Sequence, residues 1–219
     1  LMQSFTIFQR NIFRPLRLLV SGFPGTSLAG FLVVLFSVIG LLYFFRTPSQ
    51  ELMNQALIEL SQNELEKSKV LFEELADRSD GAAQYNLAML LLRSAGNESH
   101  GRARNLMLKS ARQGFEMAQF NLGTLYLNGV GGPVDLESAI FWFEKSAENG
   151  DVEAQFLVGR MLCEGKGRAS NPVKAVKWLE RAAHSHHLEA AFQLGKLYYD
   201  GLGSKSNHQK AFAWFQYAA

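Results

Sequence analysis

Three histidines within four residues, His184, His186 and His187, are the sequence's one cluster of metal-ligating side chains. A bound metal needs ligands converging on one point, commonly with cysteine or carboxylate help. This group falls where a turn between helices is expected, and His186 stands where Gly114 and Gly150 stand in related segments, so a solvent-facing turn is the expected reading. The single cysteine, Cys163, cannot form an internal disulfide and has no His or second Cys at a telling spacing. It is expected to line a helix as a small apolar residue. Asp135 invites a catalytic role, but Ser99, Asn171 and Asn207 fill the same register elsewhere, which suits backbone capping. The Gly-x-Gly pairs at 129/131, 165/167 and 201/203 recur at a fixed period, so they end helices and do not cradle phosphate. With no nucleophile elbow and no metalloprotease motif, the sequence predicts no catalytic residue, no cofactor and no metal.

Composition narrows the partners. The chain has 219 residues, 47% of them hydrophobic, which is normal for a folded protein. The formal charge is +2. Residues 1–46 hold Arg10, Arg14, Arg17 and Arg46 and no acid. Taking those four from the 22 basic residues leaves 18 against 20 acidic ones, a net of −2 over 47–219. The positive charge belongs to the leading arm, and no nucleic-acid face is implied.

Residues 27–45, SLAGFLVVLFSVIGLLYFF, carry no charge and no proline. As a helix this stretch would be about 28 Å long, close to the hydrocarbon core of a bilayer. It shows no polar stripe, and Tyr43, Phe44 and Arg46 suit an interface. The segment predicts one transmembrane helix. A cleaved signal peptide is the rival, although its apolar core should be shorter and lead to a small-residue site, not Phe-Phe-Arg. Three arginines precede the span and one follows. The expectation is therefore a single-pass bacterial inner-membrane protein with a cytoplasmic N-terminus and a periplasmic remainder. The leader, residues 1–26, mixes Phe, Ile and Leu with Arg. It fits an interfacial segment or a disordered one.

The elements that position everything else repeat. AQYNLAMLLL from Ala83, AQFNLGTLYL from Ala118, AQFLVGRMLC from Ala154 and AAFQLGKLYY from Ala190 start 35, 36 and 36 residues apart. Ala103, Ala139, Ala175 and Ala211 repeat with them, as do Trp142, Trp178 and Trp214. A period of this length predicts stacked helix pairs. The recurring alanines sit where two helices approach closely, and the large residues, such as Leu122 and Trp142, fill the space between pairs. Gly129, Gly165 and Gly201 end each first helix. Ser99, Asp135, Asn171 and Asn207 cap each second one.

This pattern, A-x-x-x-L-G-x-x-Y-x-x-G-x-G, then D, then A-x-x-W-x-x-K-A-A-x-x-G, resembles the Sel-one-like repeat, a relative of the tetratricopeptide repeat. Ala118, Leu122, Gly123, Tyr126, Gly129, Gly131, Asp135, Ala139, Trp142, Lys145, Ala147 and Gly150 carry the best match. In the first repeat Ala88 replaces glycine and the loop is one residue shorter. The expected fold is all-α: a right-handed α-solenoid of antiparallel helix pairs preceded by one transmembrane helix. Four repeats are expected over 82–219, after a degenerate capping helix pair at 50–81 that includes Ala56, Leu60, Ser68, Leu71 and Ala76. The sequence ends at Ala218-Ala219 inside a second helix, so a continuing chain or a covering partner is expected there.

Such repeats imply adaptor work, with other protein subunits, especially membrane proteins, as partners and the bilayer engaged through 27–45. By analogy with tetratricopeptide repeats, the first helices line a concave face. Its candidate partner-binding residues are Tyr85, Phe120, Phe156 and Phe192, then Thr124, Arg160 and Lys196, then Asn128, Glu164 and Asp200. The four rings could form a ladder for a peptide, or pack between repeats. A scaffold subunit of an envelope complex is the leading expectation. A module recognising cell-wall glycan or a secreted polymer, and an enzyme encoded beyond Ala219, are its rivals.

Overall fold

The computed structural model describes residues 48–94 and 96–219. The leader and the apolar segment 27–45 lie outside the described residues. Among those described, all regular structure is helical, and no helix is long and apolar enough to cross a membrane. The helices are α1 (Pro48–Ser61), α2 (Leu65–Asp77), α3 (Gly81–Arg93), α4 (Asn97–Arg112), α5 (Glu116–Asn128), α6 (Leu136–Glu148), α7 (Val152–Glu164), α8 (Pro172–His184), α9 (Leu188–Asp200) and α10 (His208–Ala218). From α3 onward they pair as hairpins, and each hairpin packs on the next in chain order.

The recurring small residues are where the helices meet. Ala83, Ala118, Ala154 and Ala190 are fully buried, as are Ala103, Ala139 and Ala175, with Ala211 nearly so. Gly123, Gly159 and Gly195 give closer contact still. A methyl group there would lie 2.7 Å from the Phe143 ring, 2.7 Å from Leu179 Cγ and 2.6 Å from the Phe215 ring. Large side chains thus sit directly on a helix backbone. The three tryptophans are half-buried, each at the margin of a core cluster. In the leading pair, Ala56 and Ser68 are fully buried and Ala76 nearly so, while Leu60 and Leu71 pack against the same core.

Each loop glycine answers a separate demand. Gly129, Gly165 and Gly201 end α5, α7 and α9 in left-handed geometry, with φ of 67°, 68° and 69°. Only glycine takes that conformation without cost. The second glycine is also left-handed, but its role is proximity: a Cβ on Gly131, Gly167 or Gly203 would collide with the carbonyl of His100, Leu136 or Pro172, one hairpin earlier.

The capping register holds three times. Asp135 Oδ1 accepts from Ser138 N at 2.9 Å, Asn171 Oδ1 from Lys174 N at 3.0 Å, and Asn207 Oδ1 from Lys210 N at 2.9 Å. Ser99 departs from the expectation. It lies inside α4, which starts at Asn97 after Gly96 as its N-cap. The first repeat lacks glycines at the 129 and 131 register; its first helix ends at Arg93 and its second begins earlier, at Asn97. The 16 residues of α4 compare with 13 in α6 and α8. The His100 ring N–H donates to the Ser94 carbonyl at 3.0 Å, linking the start of α4 to the end of α3.

Candidate partner-binding surface

The side chains with chemical potential are each engaged locally. At the end of α8, His184 Nδ1 donates to the Glu180 carbonyl at 2.6 Å, and its ring meets Trp214 edge-on. His186, left-handed at φ 65°, places Nδ1 2.6 Å from the Tyr217 hydroxyl. His187 is the N-cap of α9. Its Nδ1 accepts from Ala190 N at 3.1 Å, so the proton resides on Nε2, which donates to Glu153 at 3.1 Å. The same ring stacks on Phe156, with centroids 4.5 Å apart. Among the described residues no cluster of His, Cys, Asp or Glu is arranged to hold a metal. Cys163 is half-buried, and desolvation pushes its thiol above the ordinary value, away from thiolate reactivity.

His187 belongs to a capping register that the sequence reading did not single out: Asp80 and Asp151 hold the equivalent place. Their Oδ1 atoms accept from Ala83 N at 2.9 Å and Ala154 N at 2.8 Å. The signal was the 36-residue step from Asp151 to His187, obscured by Phe115, which caps α5 without a side-chain bond.

The candidate surface divides by depth. Phe156 is buried, Tyr85 and Phe120 are half-buried, and Phe192 is exposed. The Tyr85 ring lies against Phe115, with centroids 5.2 Å apart, and its hydroxyl accepts from Asn121 at 3.3 Å. Phe120 meets Phe143 and Phe192 meets Phe215, each at 5.6 Å. All four rings therefore take part in packing. One turn on, Thr124 is half-buried and donates to the Phe120 carbonyl at 3.2 Å, whereas Arg160 and Lys196 are exposed. The Arg160 guanidinium lies 5.3 Å from the Phe156 centroid. Asn128, Glu164 and Asp200 are exposed, and Glu164 pairs with Lys166 at 2.7 Å. Positions that build the hairpin thus recur in kind, while outward positions of the same helices change from neutral in the second repeat to a cation and an acid in the third and fourth.

Buried amides follow the repeat as well. The Gln84 side-chain oxygen accepts from Gln113 Nε2, and that of Gln119 from Asn149 Nδ2, both at 2.9 Å. Nearby, Tyr198 donates its hydroxyl to Glu180 at 2.8 Å. Burial, and then that carboxylate, push the phenol up to about 12.

Stacked antiparallel hairpins with recurring joints and a changing outer surface define an α-solenoid of tetratricopeptide-like construction. The chain belongs to the Sel1 repeat family, whose model matches residues 81–115, 116–151, 152–187 and 188–219. It is similar in structure to a Sel1 repeat protein from Oxalobacter formigenes, with a TM-score of 0.67 and 28% identity over 76% of this chain and 69% of that one. It is also similar to a protective antigen present in uropathogenic Escherichia coli strains, which displays an SLR fold, with a TM-score of 0.60 and 27% identity over 68% of this chain. It spans only 32% of that antigen. No curated protein matches the chain in sequence. Sel1 repeats typically serve as non-catalytic modules for protein–protein binding.

Proposed function

We propose that this chain is a membrane-anchored scaffold or adaptor, an accessory or assembly subunit of an inner-membrane or envelope protein complex. One observation carries the reading: positions that build the hairpins recur, whereas positions one and two turns along the first helices pass from neutral Thr124 and Asn128 in the second repeat to an exposed cation and acid, Arg160 and Glu164 and then Lys196 and Asp200, in the third and fourth. A rigid frame with chemically graded side chains suits recognition of a folded partner or an extended segment of one.

Residues 27–45, uncharged and long enough to cross a bilayer, supply the anchor in this reading. Arg10, Arg14 and Arg17 favour a cytoplasmic N-terminus and periplasmic repeats in a bacterial inner membrane. Tethering raises the local concentration of the repeats beside other membrane subunits. Affinity purification in mild detergent, with mass determination of the intact particle, tests the scaffold. The expected result is a stoichiometric partner; a chain recovered alone and monomeric defeats the proposal. Protease added to intact spheroplasts should digest the repeats, and protection until lysis would reverse the orientation.

A further inference from the structure

Each first helix of the third and fourth repeats carries a stripe of charge that its own stability does not explain. Residues 153, 160 and 164 return to one side of α7, as 189, 196 and 200 do on α9, because steps of seven and four keep to one helix face. Both stripes read acid, cation, acid: Glu153, Arg160 and Glu164, then Glu189, Lys196 and Asp200, all exposed. The second repeat builds the same hairpin with Met117, Thr124 and Asn128 at these registers, so the fold does not require the charges. Local helix physics disfavours two of them. Glu164 and Asp200 are the last residues of α7 and α9. That is the negative end of the peptide dipole, where a carboxylate is unfavourable and a cation is favoured. Each acid also follows its cation by four residues, the weaker order for such a pair, and neither pair closes. Glu164 meets Lys166 instead, at 2.7 Å. Among the described residues Lys196 and Asp200 make no ion pair. Glu153 and Glu189 accept only from neutral donors, the His187 ring and the Gln193 carboxamide. The sign belongs to this side of the array: α7 and α9 hold four acids and two cations, whereas α8 and α10 hold four cations and one acid. In the loops that follow α7 and α9, Arg168 is held by Glu144 of the preceding hairpin at 2.8 Å.

We propose that the C-terminal ends of α7 and α9 dock a basic, extended segment of a partner protein, one lysine or arginine of which pairs with Glu164 and another with Asp200. Each incoming cation meets a carboxylate and the carbonyl end of a helix together, two favourable fields at one point. At Glu164 it takes the place of Lys166, whose pair is exposed and therefore worth little. Arg160 and Lys196, one turn back along the same stripes, repel any further cation, so they bound the segment on one side and set its register. The cations of α8 and α10 oppose its docking on the other face of the same hairpins. The inference deepens the scaffold reading by naming the chemistry of the partner, and it rests on that reading for there being one.

The test uses the full chain in non-ionic detergent micelles at low ionic strength. A fluorescent, amidated Lys-Ala-Lys-Ala-Lys peptide and its Glu-Ala-Glu-Ala-Glu counterpart are titrated by anisotropy. The chain should bind the lysine peptide and not the glutamate one. Glu164→Gln combined with Asp200→Asn should weaken binding roughly fivefold, the worth of two exposed ion pairs. Its melting temperature should not fall, because both acids sit at the wrong end of a helix. Arg160→Gln combined with Lys196→Gln should tighten binding of the same peptide. The control removes two exposed acids from second helices, Glu98→Gln with Glu137→Gln, and should leave binding unchanged. Equal weakening by the control pair, equal binding of the glutamate peptide, or no response to loss of Glu164 and Asp200 would each overturn the site. If a membrane subunit co-purifies equally with wild type and with the Glu164→Gln/Asp200→Asn variant, this edge fails and the scaffold stands. If the peptide results hold but no subunit co-purifies, the scaffold fails and the edge stands.

Discussion

In the second, third and fourth repeats the chain leaves its first helix through a left-handed glycine and crosses a seven-residue loop, 129–135 in the second. In the first repeat α3 ends at Arg93 and α4 begins at Asn97. The longer loops rest a second glycine against a carbonyl of the preceding hairpin, and the short one has no such glycine. The first repeat makes up the difference in helix, starting α4 at Asn97. The same contrast runs through the core. Where later repeats place glycine beneath Phe143, Leu179 or Phe215, the first has Ala88, with Met107 at the facing register, both fully buried. Glycine is thus demanded by what lies on top of it, and an unbranched side chain opposite relaxes the demand.

The largest expected effect is at the hairpin joint. Gly167→Ala puts a methyl into the Leu136 carbonyl on a backbone with φ of 81°. Loss of about 3 kcal/mol or more is expected. Because neighbouring hairpins supply each other's stability, circular-dichroism melting should also broaden or split as the array uncouples. A single sharp transition at the wild-type temperature would mean that the loop does not join the hairpins.

Next comes the helix contact. Gly159→Ala drives a methyl to 2.7 Å from Leu179 Cγ, and such overpacking costs about 1–3 kcal/mol. Its counterpart in the first repeat, Ala88→Gly, removes a methyl and should cost roughly 1 kcal/mol, mostly helix propensity. Urea titrations of the two variants should rank them in that order, and equal losses would erase the distinction between the repeats.

The smallest pair concerns the caps. Asp135→Ala should cost about 1 kcal/mol near neutral pH, while Ser99→Ala, inside its helix, should stay within about 0.5 kcal/mol. The Ser138 hydroxyl, then the Ser138 backbone N–H, hold the Asp135 carboxyl below its ordinary value of 3.8. A folded-state value below the unfolded one means that this stabilisation is full above pH 3.8 and fades as pH falls through the folded value. The Asp135→Ala deficit should therefore shrink in acid, and melts between pH 7 and pH 3 measure it.

Residues that obey the period announced their roles in the sequence: the buried alanines, the left-handed glycines, and Asp135, Asn171 and Asn207 as caps. The misplaced cap at Ser99 came from extending that period into the one loop that breaks it, where a shorter connection lets the helix start earlier. Periodicity alone could not separate a ring that packs from a ring that waits for a partner. Phe156 and Phe192 share a register, yet one is 6% exposed and the other 45%, because His187 covers the first.

The central claim is that recurring positions build the array and changing positions choose the partner. Its most direct test replaces Arg160 and Lys196 by threonine, and Glu164 and Asp200 by asparagine, giving the third and fourth repeats the side chains that Thr124 and Asn128 provide in the second. Quantitative co-purification from detergent extracts should then lose the bound subunit. The melting temperature should stay within about 2 °C of wild type, as expected for exposed positions. Undiminished recovery of the subunit, with the same stoichiometry as wild type, would contradict the account.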